Sequence, residues 1–227
     1  MNKITSIKEA AALVKDGMSV MVGGFLGCGA PDKLLHALAI SGVKDLTIIC
    51  NDGGLPNGRM LGLHELIHNG QVKHLIATHI GMNKEVGQMM NEGTMKVTLV
   101  PQGSLAEKIR AAGYGLGGVL TPTGLGTPVG VGSEDASGTG NKESITIDGK
   151  EYLLERPVRA DVALIYGSVA DKYGNVKIHG TARNFNTVMA TAADTVICQA
   201  DDIVEMLDPD EVLIQGVLVN YIVGGKN

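Results

Sequence analysis

The chain has little aromatic character. Tryptophan is absent, phenylalanine occurs twice and tyrosine five times in 227 residues. Proteins that grip single-stranded nucleic acid stack bases on aromatic side chains, and this composition excludes such a platform. A basic surplus is also missing. Lys and Arg number 19 against 24 Asp and Glu, for a formal net charge of −5, which excludes a surface that tracks a phosphate backbone. A few local charges and backbone amides can still hold a phosphorylated small molecule. Cysteine is scarce: Cys28, Cys50 and Cys198 stand at no metal or redox spacing, as in a reduced, cytoplasmic chain. No apolar run approaches the roughly 18 residues that span a membrane. Met1-Asn2-Lys3-Ile4-Thr5 leads straight into an amphipathic helix, so no secretory signal is expected.

Glycine is what the chain has in excess, at 32 of 227 residues, about twice the usual share. There is no collagen-like period and no low-complexity tract. The glycines fall where apolar runs end. Met18 to Val22 reads as a strand covered on both faces. It runs into Gly23-Gly24-Phe25-Leu26-Gly27-Cys28-Gly29-Ala30-Pro31. Pro31 is pre-set for the first turn of a helix, and Leu34, Leu35 and Leu38 continue a helical stripe. Such a turn leaves N–H groups free and lets a ligand approach the main chain. A group that is negative, or becomes so during reaction, is the natural guest.

The same alternation continues. Ser6 and Glu9 form a capping box at the head of a first helix. Strands are expected at Leu46–Cys50, His74–Thr78 and Lys96–Val100, each ended by turn residues. Helices are expected at Leu61–His68, from the Asn83 cap to about Asn91, and at Ser104–Ala112. After the glycine-rich stretch Gly113–Gly140, Ser144–Ile147 and Lys150–Leu154 form a hairpin about Asp148-Gly149. Ser133–Gly140 reads as an exposed, mobile loop. Asp161–Tyr166 and Thr195–Cys198 resume the sheet, with a helix near Asn186–Ala193 between them. This order predicts an α/β fold with an open, mostly parallel sheet flanked by helices, and a β-hairpin and glycine-rich loops in mid-chain. No linker divides residues 1–227, so a single domain is expected. Ligands of such sheets bind beyond the carboxyl ends of the strands.

The run from Asp16 to Pro31 resembles, position by position, the signature of the α subunits of family I (3-oxoacid type) coenzyme A transferases. The matching residues are Asp16-Gly17, Val20-Met21-Val22, Gly23-Gly24-Phe25 and Gly29-Ala30-Pro31. Pro101-Gln102-Gly103-Ser104-Leu105, the Thr121–Thr127 loop and Arg183-Asn184-Phe185-Asn186 resemble further segments in the same order. Asn51-Asp52 and Gly115–Leu120 are most similar to the acetate or butyrate–acetoacetate branch. Two departures are Gln215-Gly216, where relatives have Pro-Gly, and the inserted-looking segment Val131–Asn141.

The resemblance implies transfer of coenzyme A from an acyl-CoA to a short-chain carboxylic or 3-oxo acid by ping-pong chemistry. It implies a glutamyl-CoA thioester formed on a β subunit that carries a Ser-Glu-Asn-Gly glutamate, in an α2β2 heterotetramer. This chain has no such motif. Its nearest look-alike, Gly132-Ser133-Glu134-Asp135, reads as solvated loop. Half of an active site is therefore expected. Gln102 is the expected oxyanion donor; its other reading is a loop amide that ties down a turn. Gly23, Gly24, Phe25, Gly27, Gly29, Asn51 and Arg183 are expected at the substrate or coenzyme A site, although Asn51 as a turn residue and Arg183 in a structural ion pair are equally good readings. No cofactor is implied beyond the coenzyme A thioester as substrate.

His64-Glu65-Leu66-Ile67-His68 matches the zinc-protease pattern, with Glu85 as a third ligand at a tolerable distance. Asn69-Gly70 ends the helix where such an enzyme needs it long, so no metal is expected. Two other classes compete. A sugar-phosphate isomerase or deaminase needs an acid–base set that cannot be assembled here. A non-catalytic module that senses acyl-CoA or phosphate ligands would need no partner.

Overall fold

The computed structural model describes residues 2–56 and 61–224. Met1, at the head of the segment that leads into the first helix, lies outside them. The elements follow in the order α1 (Ile7–Ala11), β1 (Ser19–Val22), α2 (Asp32–Ser41), β2 (Leu46–Cys50), α3 (Leu61–His68), β3 (Val72–Ala77), α4 (Lys84–Glu92), β4 (Lys96–Leu99) and α5 (Gln102–Gly113). Then come β5 (Val119–Thr121), β6 (Glu143–Ile147), β7 (Lys150–Glu155), β8 (Ala160–Asp171), β9 (Val176–Lys177), α6 (Asn184–Met189), β10 (Ala193–Val204) and β11 (Tyr221–Gly224).

The main sheet has the order β11-β10-β8-β1-β2-β3-β4, every neighbouring pair parallel, with short β9 antiparallel against β8. The chain thus builds outward from β1 to β4, then returns to the other side of β1 with β8. The β1–β8 boundary is a topological switch point, where loops leave the strand ends in opposite directions and open a crevice. The β5-β7-β6 ribbon is antiparallel and separate.

Strand alternation splits the core between the two faces. Val20, Val22, Ile48, Cys50 and Leu75 pack with Leu34, Leu35 and Leu38 of α2 and with Leu63, Leu66 and Ile67 of α3. Met21, Ile49, Ile76, Ala163 and Ile165 pack on the other face with Leu105 and Ile109 of α5 and with Phe185 and Met189 of α6. Both faces are covered, which is why consecutive residues such as Val20–Val22 and Ile48–Cys50 are apolar and buried.

Several local expectations match the residues built. β2 and α3 occupy the expected spans. The Ser6–Glu9 capping box and the Asn83 cap are formed. Asp148 and Gly149 both take positive φ, 49° and 76°, as a two-residue hairpin turn requires. Pro31 stands one position earlier than expected, as the residue before α2. The helix expected near Asn186–Ala193 lies at Asn184–Met189, because Ala193 already belongs to the long strand β10.

Ser133–Gly140 is a larger correction, because it is not a free loop. Asp135 is fully buried and Ala136 nearly so. The Asp135 carboxylate accepts from Lys108 Nζ of α5 at 2.7 Å and from the Ser137 N–H at 2.8 Å. Lys108 also reaches Glu155 of β7 at 2.9 Å, and Glu155 takes Lys142 at 2.8 Å. Two cations and two carboxylates are thus buried in balance, joining α5, the 131–141 segment and the ribbon. Burial alone would raise the Asp135 pKa. The Lys108 ammonium and the Ser137 amide outweigh that and hold it below the usual value.

Candidate functional site

The carboxyl edge of the sheet is built from four strand ends. Past β1, Gly24, Leu26, Gly27 and Gly29 all take positive φ (115°, 47°, 76° and 72°). Phe25 and Cys28 exchange backbone hydrogen bonds in both directions, at 3.1 and 2.9 Å. Leu26-Gly27 is therefore the tip of a very tight reversal. Glycine suits three of these positions because they are left-handed; Leu26 adopts that region with a side chain.

The Arg183-Asn184-Phe185-Asn186 segment clamps this turn. Asn186, fully buried, donates from Nδ2 to the Gly29 carbonyl (2.9 Å) and accepts the Tyr166 N–H at Oδ1 (2.8 Å). It thereby ties the end of β1 to β8 across the switch point. Asn184 Nδ2 donates to the Cys28 carbonyl (2.9 Å). The approach is so close that a Cβ at Gly23 would lie 1.9 Å from Asn186 Oδ1, and one at Gly29 would lie 2.8 Å from the Ala182 carbonyl. Tyr166 continues the contact region. Burial and a hydrogen bond to Asp201 push its phenol pKa up.

The second clamp comes from β2. Gln102, the exposed first residue of α5, donates from Nε2 to Asn51 Oδ1 at 2.8 Å. Asn51 is fully buried, and its Nδ2 donates to Asp52 Oδ2 at 2.9 Å. The same Asp52 oxygen accepts the Leu26 N–H at 2.8 Å, and Oδ1 accepts the Gly54 N–H at 3.3 Å. Thr78 Oγ1, just past β3, donates to the Asn51 carbonyl at 2.7 Å. One hydrogen-bonded line thus connects Gln102 to the tip of the glycine turn.

Between these clamps lies a cavity of about 280 Å³ lined by Phe25, Gln102, Gly103, Ala106, Asn184, Phe185 and Val188. No Lys, Arg, Asp or Glu is among its lining residues. The α5 N-terminus borders it without a capping side chain, so the helix's free N–H groups and positive dipole end face this edge. The cavity holds donors in an apolar wall, and no nucleophile or titratable base.

The expected site residues separate into groups. Phe25 and Gln102 line the cavity, and Gly23, Gly24, Gly27 and Gly29 shape the turn behind Phe25. Asn51 stands behind Gln102 with both ends of its amide engaged. Arg183 is exposed and turns its Nε to the Ile178 carbonyl at 3.2 Å; it does not line the cavity. Glu134 pairs with Lys96 at the amino end of β4, the far end of that strand from Gln102. Cys28 is half-buried, with Sγ 3.3 Å from Thr181 Oγ1. Sequence reasoning overlooked Asp52, Asn184 and Asn186 as parts of the site. The visible signal was their position beside residues already singled out.

His64, His68 and Glu85 do come together. Glu85 lies 2.9 Å from His68 Nδ1 and 3.8 Å from His64 Nδ1, and Asn83 Nδ2 lies 3.2 Å from His64 Nδ1. Hydrogen bonds with Glu85 and Asn83 engage these imidazoles. Among the described residues no set of three His, Cys, Asp or Glu side chains has the arrangement of a metal site. No described helix is long and apolar enough to cross a membrane.

Comparison with known proteins agrees with this architecture. The glutaconate coenzyme A-transferase of Acidaminococcus fermentans superposes with a TM-score of 0.84 at 21% identity, over 98% of this chain and 75% of that one. The acyl-CoA transferase YdiF of Escherichia coli O157:H7 gives 0.83 at 24% identity; this chain spans 47% of its length. These two likenesses establish the fold. Sequence similarity is stronger elsewhere. The acetoacetyl-CoA:acetate/butyrate CoA transferase alpha subunit of Clostridium acetobutylicum is 48% identical over 98% of this chain and 97% of its own. The acetate CoA-transferase subunit alpha of Escherichia coli K12 is 46% identical over 97% of this chain and 96% of its own. The coenzyme A transferase profile matches residues 4–225. With a switch-point cavity bounded by a clamped glycine turn, and with relatives of this identity along its full length, the chain belongs to the coenzyme A transferase family.

Proposed function

We propose that this chain is the α subunit of an enzyme that moves coenzyme A from an acyl-CoA to a short-chain carboxylic or 3-oxo acid, with the nucleophilic glutamate on a β subunit. The observation that carries this is the cavity itself. It offers an amide donor, Gln102, and a helix N-terminus in an apolar wall, and no carboxylate. Acyl transfer needs donors where a carbonyl oxygen becomes negative. It also needs a nucleophile, and here that must enter from outside.

In this reading a partner carboxylate attacks the thioester carbonyl. The C–S bond breaks, coenzyme A leaves as thiolate, and a mixed anhydride remains. The thiolate then attacks the glutamyl carbonyl, giving glutamyl-CoA and the free acid. A second acid reverses both steps. Gln102 Nε2 serves the tetrahedral oxyanion, and Asn51 acts through Gln102 by fixing its amide. The glycine turn forms one wall, and Arg183 is available to a substrate carboxylate at the rim. An α2β2 assembly with a Ser-Glu-Asn-Gly partner and no additional cofactor completes the proposal.

Reconstitution tests it. The chain alone should be inactive. With its partner it should transfer coenzyme A among a panel of short acids. Borohydride should trap the thioester intermediate as a label on the partner. Activity of the isolated chain, or label on this chain, would refute the divided site.

A further inference from the structure

Asp52 is a fully buried carboxylate with no cationic partner among the ion pairs of the described residues. A buried charge of this kind is costly unless hydrogen bonds satisfy it. Its bonds all go to the candidate site. Oδ2 takes both the Leu26 N–H and Asn51 Nδ2, and Oδ1 takes the Gly54 N–H. Leu26 is one of the non-glycine residues at positive φ, and the only one in the glycine turn. A side chain in that region is disfavoured, so the conformation persists because its surroundings impose it.

We infer that Asp52 is a positioning residue for coenzyme A transfer, holding the glycine-turn tip and the Gln102 amide in one fixed relation. One oxygen is shared by the two branches. Through Leu26 it sets the turn that carries Phe25 into the cavity wall. Through Asn51 it leaves Asn51 Oδ1 facing Gln102 Nε2, because an amide whose Nδ2 is committed to Asp52 presents its oxygen the other way. Without Asp52 the Asn51 amide can flip, and its NH2 would then meet the NH2 of Gln102. This inference rests on the transferase reading above and adds a residue that never touches substrate.

The test uses the reconstituted complex. Asp52→Ala should lower kcat by about 10²-fold, the scale of a misplaced catalytic group, with KM for the acyl-CoA changed less than about threefold. Asp52→Asn can place its Oδ1 where Asp52 Oδ2 stands, keeping the bonds from Leu26 and Asn51 without the charge and giving up the long one from Gly54, and should retain kcat within about fivefold, since charge-assisted bonds are only about twice as strong as neutral ones. Leu26→Gly in the Asp52→Ala background should restore about fivefold, because glycine relieves the left-handed penalty. Amide exchange at Leu26, read without any turnover, should quicken in Asp52→Ala and stay slow in Asp52→Asn. Wild-type kcat in Asp52→Ala, or unchanged exchange at Leu26, would overturn the positioning role while leaving the transferase reading intact. An inactive wild-type complex would overturn the transferase reading and the positioning role with it, whatever the exchange rates.

Discussion

Lys108→Met probes the buried charge cluster and gives a sign as well as a size. Lys108 is fully buried, 2.7 Å from Asp135 and 2.9 Å from Glu155. Methionine fills similar space without the ammonium. Glu155 keeps Lys142 at 2.8 Å. Asp135 keeps only the Ser137 N–H at 2.8 Å and the Arg156 N–H at 3.4 Å. Removing one partner of a buried pair costs about 3–5 kcal/mol, because the other charge stays buried. For a chain of this length each kcal/mol moves Tm by about 2–4 °C, so a loss of about 6–20 °C is expected by calorimetry at pH 7. In the native protein the Asp135 pKa is held below its unfolded value. Its stabilisation is therefore present above the unfolded pKa and lost as pH falls through the lower native pKa. In Lys108→Met burial acts without the ammonium, and the native pKa rises above the unfolded one. Protonation then stabilises the variant, and its Tm deficit should shrink between pH 7 and pH 5. Adding Asp135→Asn removes the stranded charge and should recover more than half of the deficit. A deficit below about 2 °C, or one that does not change with pH, would refute the account of Asp135 as an ion held by Lys108.

Three further substitutions test the site. Gln102→Ala should lower kcat by about 10²-fold, the scale of a lost oxyanion donor, while gel filtration shows the complex assembled; undiminished turnover would remove Gln102 from the chemistry. Gly23→Ala forces a methyl to 1.9 Å from Asn186 Oδ1. Displacing that buried amide should cost about 3 kcal/mol, the upper range for overpacking. Asn186→Ala removes the obstacle, so a denaturation cycle should find the double variant less unstable than the sum of the singles.

What could be read in advance was what is encoded locally. β2 ends at Cys50, where the turn-forming run Asn51-Asp52-Gly53-Gly54 begins, and the Asp148-Gly149 turn needs only two residues to declare itself. The cluster around Lys108 was not legible. Its partners lie 27 and 47 residues away, and a lysine in a helix normally reads as solvent-facing. Its one sequence trace is position, since Lys108 falls between Leu105 and Ile109 on the buried side of α5. Asp135 was hidden among Ser, Gly and Thr that signal a loose loop. Loop composition cannot show that one carboxylate reaches a buried ammonium. The span of β8 and β10 was likewise underread: their last residues include Asp171 and Asp202, while their mutual pairing runs from Ala193↔Ala160 to Val204↔Asp171.

The distribution of charge between these two buried systems bears on the proposed chemistry. The fixed ions sit behind α5, at Lys108, and the residues lining the cavity are uncharged. The acid that enters and the acid that leaves such a transferase are both free carboxylates, and the resting nucleophile is a third. A lysine in the cavity would bind those ground-state anions about as well as the transient oxyanion, and equal binding of ground and transition states does not accelerate the chemical step. A neutral amide gains most where charge appears during reaction, provided it is already aimed there. Aim is what two contacts supply. Gln102 is gripped through its side chain by Asn51, and its helix is anchored by Lys108 six residues further on. In the proposed chemistry the ions serve rigidity at a distance, and the amide acts at the carbonyl. On this logic Gln102→Lys should fail as a replacement despite its stronger donor. It would raise affinity for free acids, seen as tighter product inhibition, while leaving kcat near that of Gln102→Ala. A lysine variant that matched wild-type turnover would refute the argument for a neutral donor.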